Sequence, residues 1–262
     1  MATTTQHAPG TFCWPELASI DQPAAKAFYP KLFGWESADQ AIGAGEVYTI
    51  FRLQGRDVGA LYTMRKEERA SGAPPHWNSY VSVESADLSV SGARALGGTV
   101  LAEPFDVMDI GRMSILQDPT GAVFCVWEAK KHQGAGVLDE TGALAWTELM
   151  TIDTGKARAF YTGLFGWTAE SKPMGPMTYT IFKRTGGPAG GMMQITKEMG
   201  PMPPHWKVYF AVVDCDAMVA NSVALGGKVT MPAHDVPGVG RFAILQDPQG
   251  ASFAVFEMMM TA

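Results

Sequence analysis

Cysteine is nearly absent: three residues in 262, Cys13, Cys125 and Cys215. An odd set with no CxxC and no Cys/His zinc spacing excludes a disulfide framework and an ordinary structural zinc, and it suits a reducing compartment. Charge is also sparse, at 18% of residues, and 20 Lys+Arg against 26 Asp+Glu leave a net charge of −6 with no basic cluster. The electrostatic footprint of a nucleic-acid binder is therefore missing. No apolar run approaches the roughly 20 residues that span a bilayer. The opening MATTTQHAPG has neither a cationic start nor an apolar stretch, so a cytoplasmic chain that meets neither membrane nor nucleic acid is expected. GxGxxG after a strand, GxxxxGK(S/T), GxSxG and HExxH do not occur, which leaves nucleotide-dependent transfer, serine hydrolysis and ordinary metalloprotease chemistry without a motif. What is plentiful is apolar: 47% of residues are hydrophobic, enough for a sizeable core and the opposite of a disordered composition.

An internal repeat organises the chain. WPELASIDQPAAKAFYPKLFGW, starting at Trp14, returns from Trp146 as WTELMTIDTGKARAFYTGLFGW. Further on, Tyr48 answers to Tyr179, Pro74-Pro75-His76-Trp77 to Pro203-Pro204-His205-Trp206, Gly97 to Gly226, Asp118-Pro119 to Asp247-Pro248, and Glu128 to Glu257. The small register changes fall in connections, where an exposed backbone tolerates them. Between Glu128 and Leu144 runs the polar, glycine-rich stretch AKKHQGAGVLDETGA. It reads as a linker, which predicts one domain over 8–132, a linker over 133–142 and a second domain over 143–262.

Each half divides again. Phe12 to Ala18 alternates at the strand period, Asp21 and Pro23 supply helix-start chemistry, and Ala24, Ala27, Phe28 and Leu32 recur at helical spacing until Gly34. Trp35–Asp39, Val47–Gln54 and Val58–Thr63 read as three strands. The order then repeats, with a strand at Trp77–Val83, a helix at Asp87–Leu96 and strands at Val100–Val107, Arg112–Leu116 and Ala122–Trp127. Asp-Pro-x-Gly joins the last two as a short bulged hairpin. The expected fold is α+β, with four βαβββ modules.

Four such modules, with Phe-Tyr toward the end of the first helix, Phe-Gly-Trp after it and Asp-Pro-x-Gly before each half's last strand, resemble the vicinal oxygen chelate superfamily of glyoxalases, bleomycin-resistance proteins and extradiol dioxygenases. The resemblance runs from about Thr11 to Met258, and it is strongest to actinobacterial two-domain glyoxalase-like antigens and hydroxylases. It implies two glyoxalase-like domains in which paired modules place cupped mixed sheets around a ligand. It also implies that catalytic members hold a divalent metal there through His, Gln or Glu side chains, with positions open for substrate oxygens.

Anchoring on the shared motifs puts the implied ligand positions on Trp14, Asn78 and Cys125 in the first half and on Trp146, Lys207 and Ala254 in the second. A fourth position falls near Arg52 and Gln54. Tryptophan and alanine offer no lone pair, lysine is a cation at neutral pH and asparagine is a weak ligand. The usual metal site is therefore expected to be absent, and no cofactor is expected.

Glu16 and Glu148 stand two residues beyond Trp14 and Trp146, on the same face at period two. In an aromatic cup either could serve as a general base or anchor a cationic or hydroxylated ligand. Either could equally order nearby backbone or pair with Arg112 or Arg241. Those two arginines begin matching inner strands and could clamp a carboxylate, although a structural ion pair suits that placement as well. By strand parity Glu128 and Glu257 turn away from the cup and read as solvated strand ends. His76 and His205, inside Pro-Pro-His-Trp, read as caps on a stiff crossover. Sixteen methionines are read as core filling with a possible share in an adaptable pocket, and Met258, Met259 and Met260 as a loose tail.

Three functions compete. The first is a binder of small organic molecules in aromatic-lined cups, with Trp14 and Trp146 as stacking walls and Glu16 and Glu148 as polar anchors. Asn78, Arg112, Cys125, Lys207 and Arg241 complete its candidate contacts. The second is a lyase, isomerase or dioxygenase that holds a divalent metal through a shifted ligand set. The third is an antigen-like module whose surface matters more than its cups. A small-molecule partner and a monomer or homodimer are expected.

Overall fold

The computed structural model describes residues 6–43, 45–70, 72–175 and 177–259. In the first half strand β1 (Phe12–Ser19) leads into helix α1 (Gln22–Phe33), then β2 (Glu36–Gly43), β3 (Glu46–Leu53), β4 (Arg56–Thr63) and the short helix α2 (Lys66–Ala70). There follow β5 (His76–Ser82), α3 (Ala86–Ala95), β6 (Thr99–Val107), β7 (Gly111–Gln117) and β8 (Val123–Ala129). The second half repeats the series as β9 (Leu144–Thr151), α4 (Thr154–Phe165), β10 (Thr168–Met174), β11 (Met177–Arg184), β12 (Gly187–Gln194) and a 3-10 turn (Lys197–Met199). It closes with β13 (His205–Ala211), α5 (Cys215–Ala224), β14 (Lys228–Val236), β15 (Gly240–Gln246) and β16 (Ser252–Met258). The fold is α+β, built from four βαβββ modules. Among the described residues no helix is long and apolar enough to cross a membrane. Met258 closes β16 and Met259 is exposed, whereas Met260 lies outside the described residues.

Local chemistry explains the boundaries. The Asp21 side chain accepts from Ala24 N at the start of α1, and Asp153 accepts from Lys156 N at the start of α4. Each satisfies one of the amides that a helix start leaves without a partner. Gly34 and Gly166 end these helices in the left-handed region, at φ 70° and 66°, a conformation that costs glycine little. Ser85 and Asp214 cap α3 and α5 in the same way. Helix α2 has no apolar periodicity to announce it. It is a charged, exposed turn held by Glu68, which accepts from Arg65 N and from the Tyr62 hydroxyl.

The sheets are mixed. The first runs β2-β3-β4-β1-β5-β8-β7-β6 and the second β10-β11-β12-β9-β13-β16-β15-β14. Parallel pairs such as β1/β4 and β5/β8 stand among antiparallel neighbours. Register follows the repeat: Glu16 faces Ala60, and Glu148 faces Gly191.

Packing divides the chain differently from the linker. One compact unit comprises the chain up to Trp14 with Asn78–Gly134 and Thr147–Lys207; the other comprises Pro15–Trp77, Ala135–Trp146 and the chain from Val208. Each unit therefore takes one module from each half. The shared motifs explain this exchange. In the first unit Trp206 Nε1 donates to the Tyr161 hydroxyl at 2.8 Å, and that hydroxyl donates to Asp118 Oδ2 at 3.0 Å. In the second unit Trp77 Nε1 donates to the Tyr29 hydroxyl and Tyr29 to Asp247 Oδ2, both at 3.1 Å. Phe-Tyr of one half thus meets Asp-Pro-x-Gly of the other, in both directions.

The remaining Asp118 oxygen, Oδ1, accepts from the backbone N–H of Thr120, Gly121 and Ala122 and from the Thr120 hydroxyl. Gly121 takes φ 106° to let the turn close around it. The tryptophan of each Phe-Gly-Trp is used as well: Trp35 Nε1 donates to Gly142 O at 2.7 Å, and Trp167 Nε1 to Gly10 O at 3.2 Å. Most buried polar groups in folded proteins are hydrogen-bonded, and here the tyrosines, tryptophans and aspartates of the repeated motifs satisfy one another.

Candidate functional site

In the first unit Trp14 is 5% exposed, with its ring edge-on to His132 at 4.6 Å between centroids. His132 in turn stands edge-on to Trp127 at 5.9 Å, and Trp127 Nε1 donates to His132 O at 2.9 Å. Tyr80 packs against Trp127, and its hydroxyl approaches Met113 Sδ. Trp14, Tyr80, Met113, Trp127 and His132 thus make one aromatic and thioether wall. Gly111 permits it, because a Cβ there would stand 2.1 Å from the Trp127 ring. Cys125 is buried on the same face of β8 as Trp127, opposite Tyr80 of β5, and Asn78 is half-buried on β5. Burial pushes the Cys13 thiol up to about 12, so it stays protonated and unreactive at neutral pH.

The same unit holds Glu148 and Lys207, at 7% and 8% exposure. Burial draws the Lys207 ammonium down to about 8, against the opposing pull of Glu148. His205 is drawn down to about 4, by burial first and by the Lys207 charge second, and its Nδ1 lies 2.9 Å from Pro203 O. His76 makes the matching contact with Pro74 O at 2.8 Å.

In the second unit Glu16 is 8% exposed, and Tyr48 donates to its Oε1 at 2.7 Å. A phenol from β3 therefore orients this carboxylate. Trp146 is half-buried on β9, and Ala254 is fully buried on β16. Arg52 is tied to Asp57 at 2.8 Å, and Gln54 sits in the β3–β4 turn at φ 51°.

The two strand-start arginines bind acids of their own unit. Arg112 grips both oxygens of Asp87, in the first turn of α3, at 2.7 and 3.0 Å, and reaches Asp106. Arg241 does the same with Asp216 in α5 and with Asp235. Their forked donors join helix to sheet. Glu128 and Glu257 do more than end strands: Glu128 Oε2 accepts from Ala86 N, and Glu257 Oε2 from Cys215 N, fastening the first residue of α3 and of α5. Parity does turn them away from Trp127, but onto a helix start rather than into water.

Among the described residues, no three His, Cys, Asp or Glu side chains come together to hold a metal ion. The residues at the implied ligand positions, two tryptophans, an alanine, a buried lysine, an asparagine and a cysteine, do not fit the hard or borderline divalent ion of catalytic relatives.

Comparison with known proteins covers both halves. The Glyoxalase/Bleomycin resistance protein/Dioxygenase superfamily model matches residues 143–255, and a Glyoxalase-like domain model matches 17–127. "Putative glyoxylase CFP32" of Mycobacterium tuberculosis is 41% identical over 259 residues, which is 98% of each chain. Anthracycline biosynthesis protein DnrV of Streptomyces peucetius is 34% identical over 264 residues, covering 97% of this chain and 95% of that one. Among solved structures, a Mn(II)-bound glyoxalase from Novosphingobium aromaticivorans aligns with a TM-score of 0.63 at 16% identity, over 94% of this chain and 80% of its own. A homoprotocatechuate 2,3-dioxygenase variant from B. fuscum gives 0.66 at 15% identity, over 97% and 72%. At such identities the two structures show the shared fold alone. With both halves matched by family models and full-length relatives at 41% and 34% identity, the chain belongs to the Glyoxalase/Bleomycin resistance protein/Dioxygenase superfamily.

Proposed function

We propose that the chain binds small, flat organic molecules in an aromatic-lined cup in each compact unit, without the metal centre of its catalytic relatives. The observation that carries this reading is the wall that Trp14 forms with Tyr80, Trp127 and His132, at a position where the resemblance implies a ligand side chain in catalytic members. Aromatic faces with a few placed polar groups are the usual recipe for an organic ligand. Glu148 and Lys207 supply such a group in the unit that holds Trp14, and Glu16, oriented by Tyr48, supplies it in the unit that holds Trp146. The two Streptomyces relatives are named for anthracycline biosynthesis. An anthracycline is built on a fused aromatic ring system, the shape a tryptophan face stacks upon. A fused-ring quinone is accordingly the ligand class of choice.

The test is equilibrium dialysis of an anthraquinone against the full chain and against Trp14→Ala and Trp146→Ala. A stacked aromatic contact is worth about 0.5–1.5 kcal/mol beyond its buried area, so each variant should lose roughly tenfold in affinity at its own site. Unchanged affinity in both variants would remove the proposal.

A further inference from the structure

The halves are near copies, so a residue that differs between them, and is costly where it stands, calls for a reason. Lys207 is such a residue. It occupies in β13 the place that Asn78 holds in β5, and it is 8% exposed in a strand buried from Trp206 to Ala211. Lysine is among the residues least often buried, because its ammonium leaves water at a large cost. That cost outweighs the attraction of Glu148. Asn78 shows that the fold is satisfied with an uncharged side chain at this place. Costly, perturbed groups of this kind concentrate at functional sites.

The surroundings suit an amine that reacts. Glu148 lies on β9, the neighbour of β13 in the sheet, and its register partner on β12 is Gly191, which puts no side chain beside it. His205, two residues before Lys207, has its Nδ1 at Pro203 O and stays neutral at physiological pH, so it adds no charge to the cluster. A desolvated lysine beside a carboxylate is the arrangement by which amines become nucleophiles toward carbonyl carbon.

We propose that Lys207 condenses with the carbonyl group of a small aldehyde or ketone, with Glu148 carrying the protons. The neutral Nζ adds to the carbonyl carbon, forming a C–N bond while the π pair moves to oxygen. Glu148 accepts a proton from the nitrogen and passes it to the oxygen, giving a neutral carbinolamine. A solvent proton then enters the hydroxyl, water leaves as the C–O bond breaks and the nitrogen pair forms C=N, and Glu148 takes the remaining N–H proton and returns it to solvent, leaving an imine. One amine and one carbonyl become one imine and one water, with no oxidant or reductant. The inference rests on the unit that holds Trp14, Glu148 and Lys207 admitting a small organic molecule.

Two probes test it on the full chain. Benzaldehyde is added with sodium cyanoborohydride, which reduces any imine to a stable benzylamine, and the adduct is mapped by peptide mass spectrometry. Benzyl alcohol, of the same shape but without a carbonyl, reports binding alone through tryptophan quenching. The expected result is an adduct concentrated at Lys207 over the chain's other lysines, lost in Lys207→Arg and slowed at least tenfold in Glu148→Gln. Wild-type mapping decides the matter even if a variant fails to fold. Quenching by benzyl alcohol with Lys207 modified no faster than surface lysines would overturn this chemistry and leave the binding proposal standing. Neither quenching nor a Lys207 adduct would overturn both.

Discussion

Tyr161→Phe removes a single oxygen from a fully buried side chain, yet that oxygen serves two partners. It accepts from Trp206 Nε1 at 2.8 Å and donates to Asp118 Oδ2 at 3.0 Å. The phenylalanine ring fills nearly the same space, so the cost comes from the groups left behind. An indole N–H loses its acceptor and a buried carboxylate oxygen loses its donor. A buried polar group without a partner costs about 1–3 kcal/mol, so the variant, which leaves two, should lose about 2–6 kcal/mol. Asp118 Oδ1 keeps its four donors, so the turn itself survives and the damage stays at the junction of α4, β13 and the turn. Urea unfolding followed by tryptophan fluorescence measures the loss as a lowered midpoint with an unchanged slope. A loss below about 1 kcal/mol would mean that the shared motif residues do not hold the exchanged modules together.

Two further outcomes follow from the same geometry. Arg112→Gln breaks contacts to the exposed carboxylates of Asp87 and Asp106; exposed ion pairs contribute little, so the urea midpoint should barely move and anthraquinone affinity should not change. A large loss of affinity would instead make Arg112 a ligand clamp. Tyr29 and Tyr161 both titrate well above the ordinary value of 10.0, because burial and then the neighbouring carboxylate oppose the phenolate. The folded phenols keep protons that the unfolded ones release, so this stability is complete below about pH 10 and falls as pH rises beyond it. Unfolding midpoints measured from about pH 9 to pH 11 should show that fall, and a smaller one in Tyr161→Phe; identical pH dependence in the two proteins would contradict it.

Much of this fold was legible because its signals are local. Asp21, Asp153 and the glycines after each Phe mark helix ends within a few residues of themselves, and the two copies of each motif confirm one another. Module exchange was not legible. Tyr29 and Asp247 lie 218 residues apart, and no local pattern says which half's turn a phenol will reach. The wall around Trp14 was only partly visible: Trp127 shares the parity of Cys125, whereas His132 comes from the edge of the linker, where no period applies. Parity correctly turned Glu128 and Glu257 away from the wall, but it could not reveal the helix start that each one meets. The burial of Lys207 beside Glu148 was hidden for a similar reason, since a lysine on a strand reads as a polar face until the sheet order places β9 next to β13.

In the proposed function aromatic faces stand where catalytic relatives keep a metal. Calorimetric titration of an anthraquinone into full-length protein, first dialysed against a strong chelator and then resupplied with Mn(II), tests it most directly. The same affinity and stoichiometry are expected in both states. Binding that disappears on chelation and returns with the metal would contradict it.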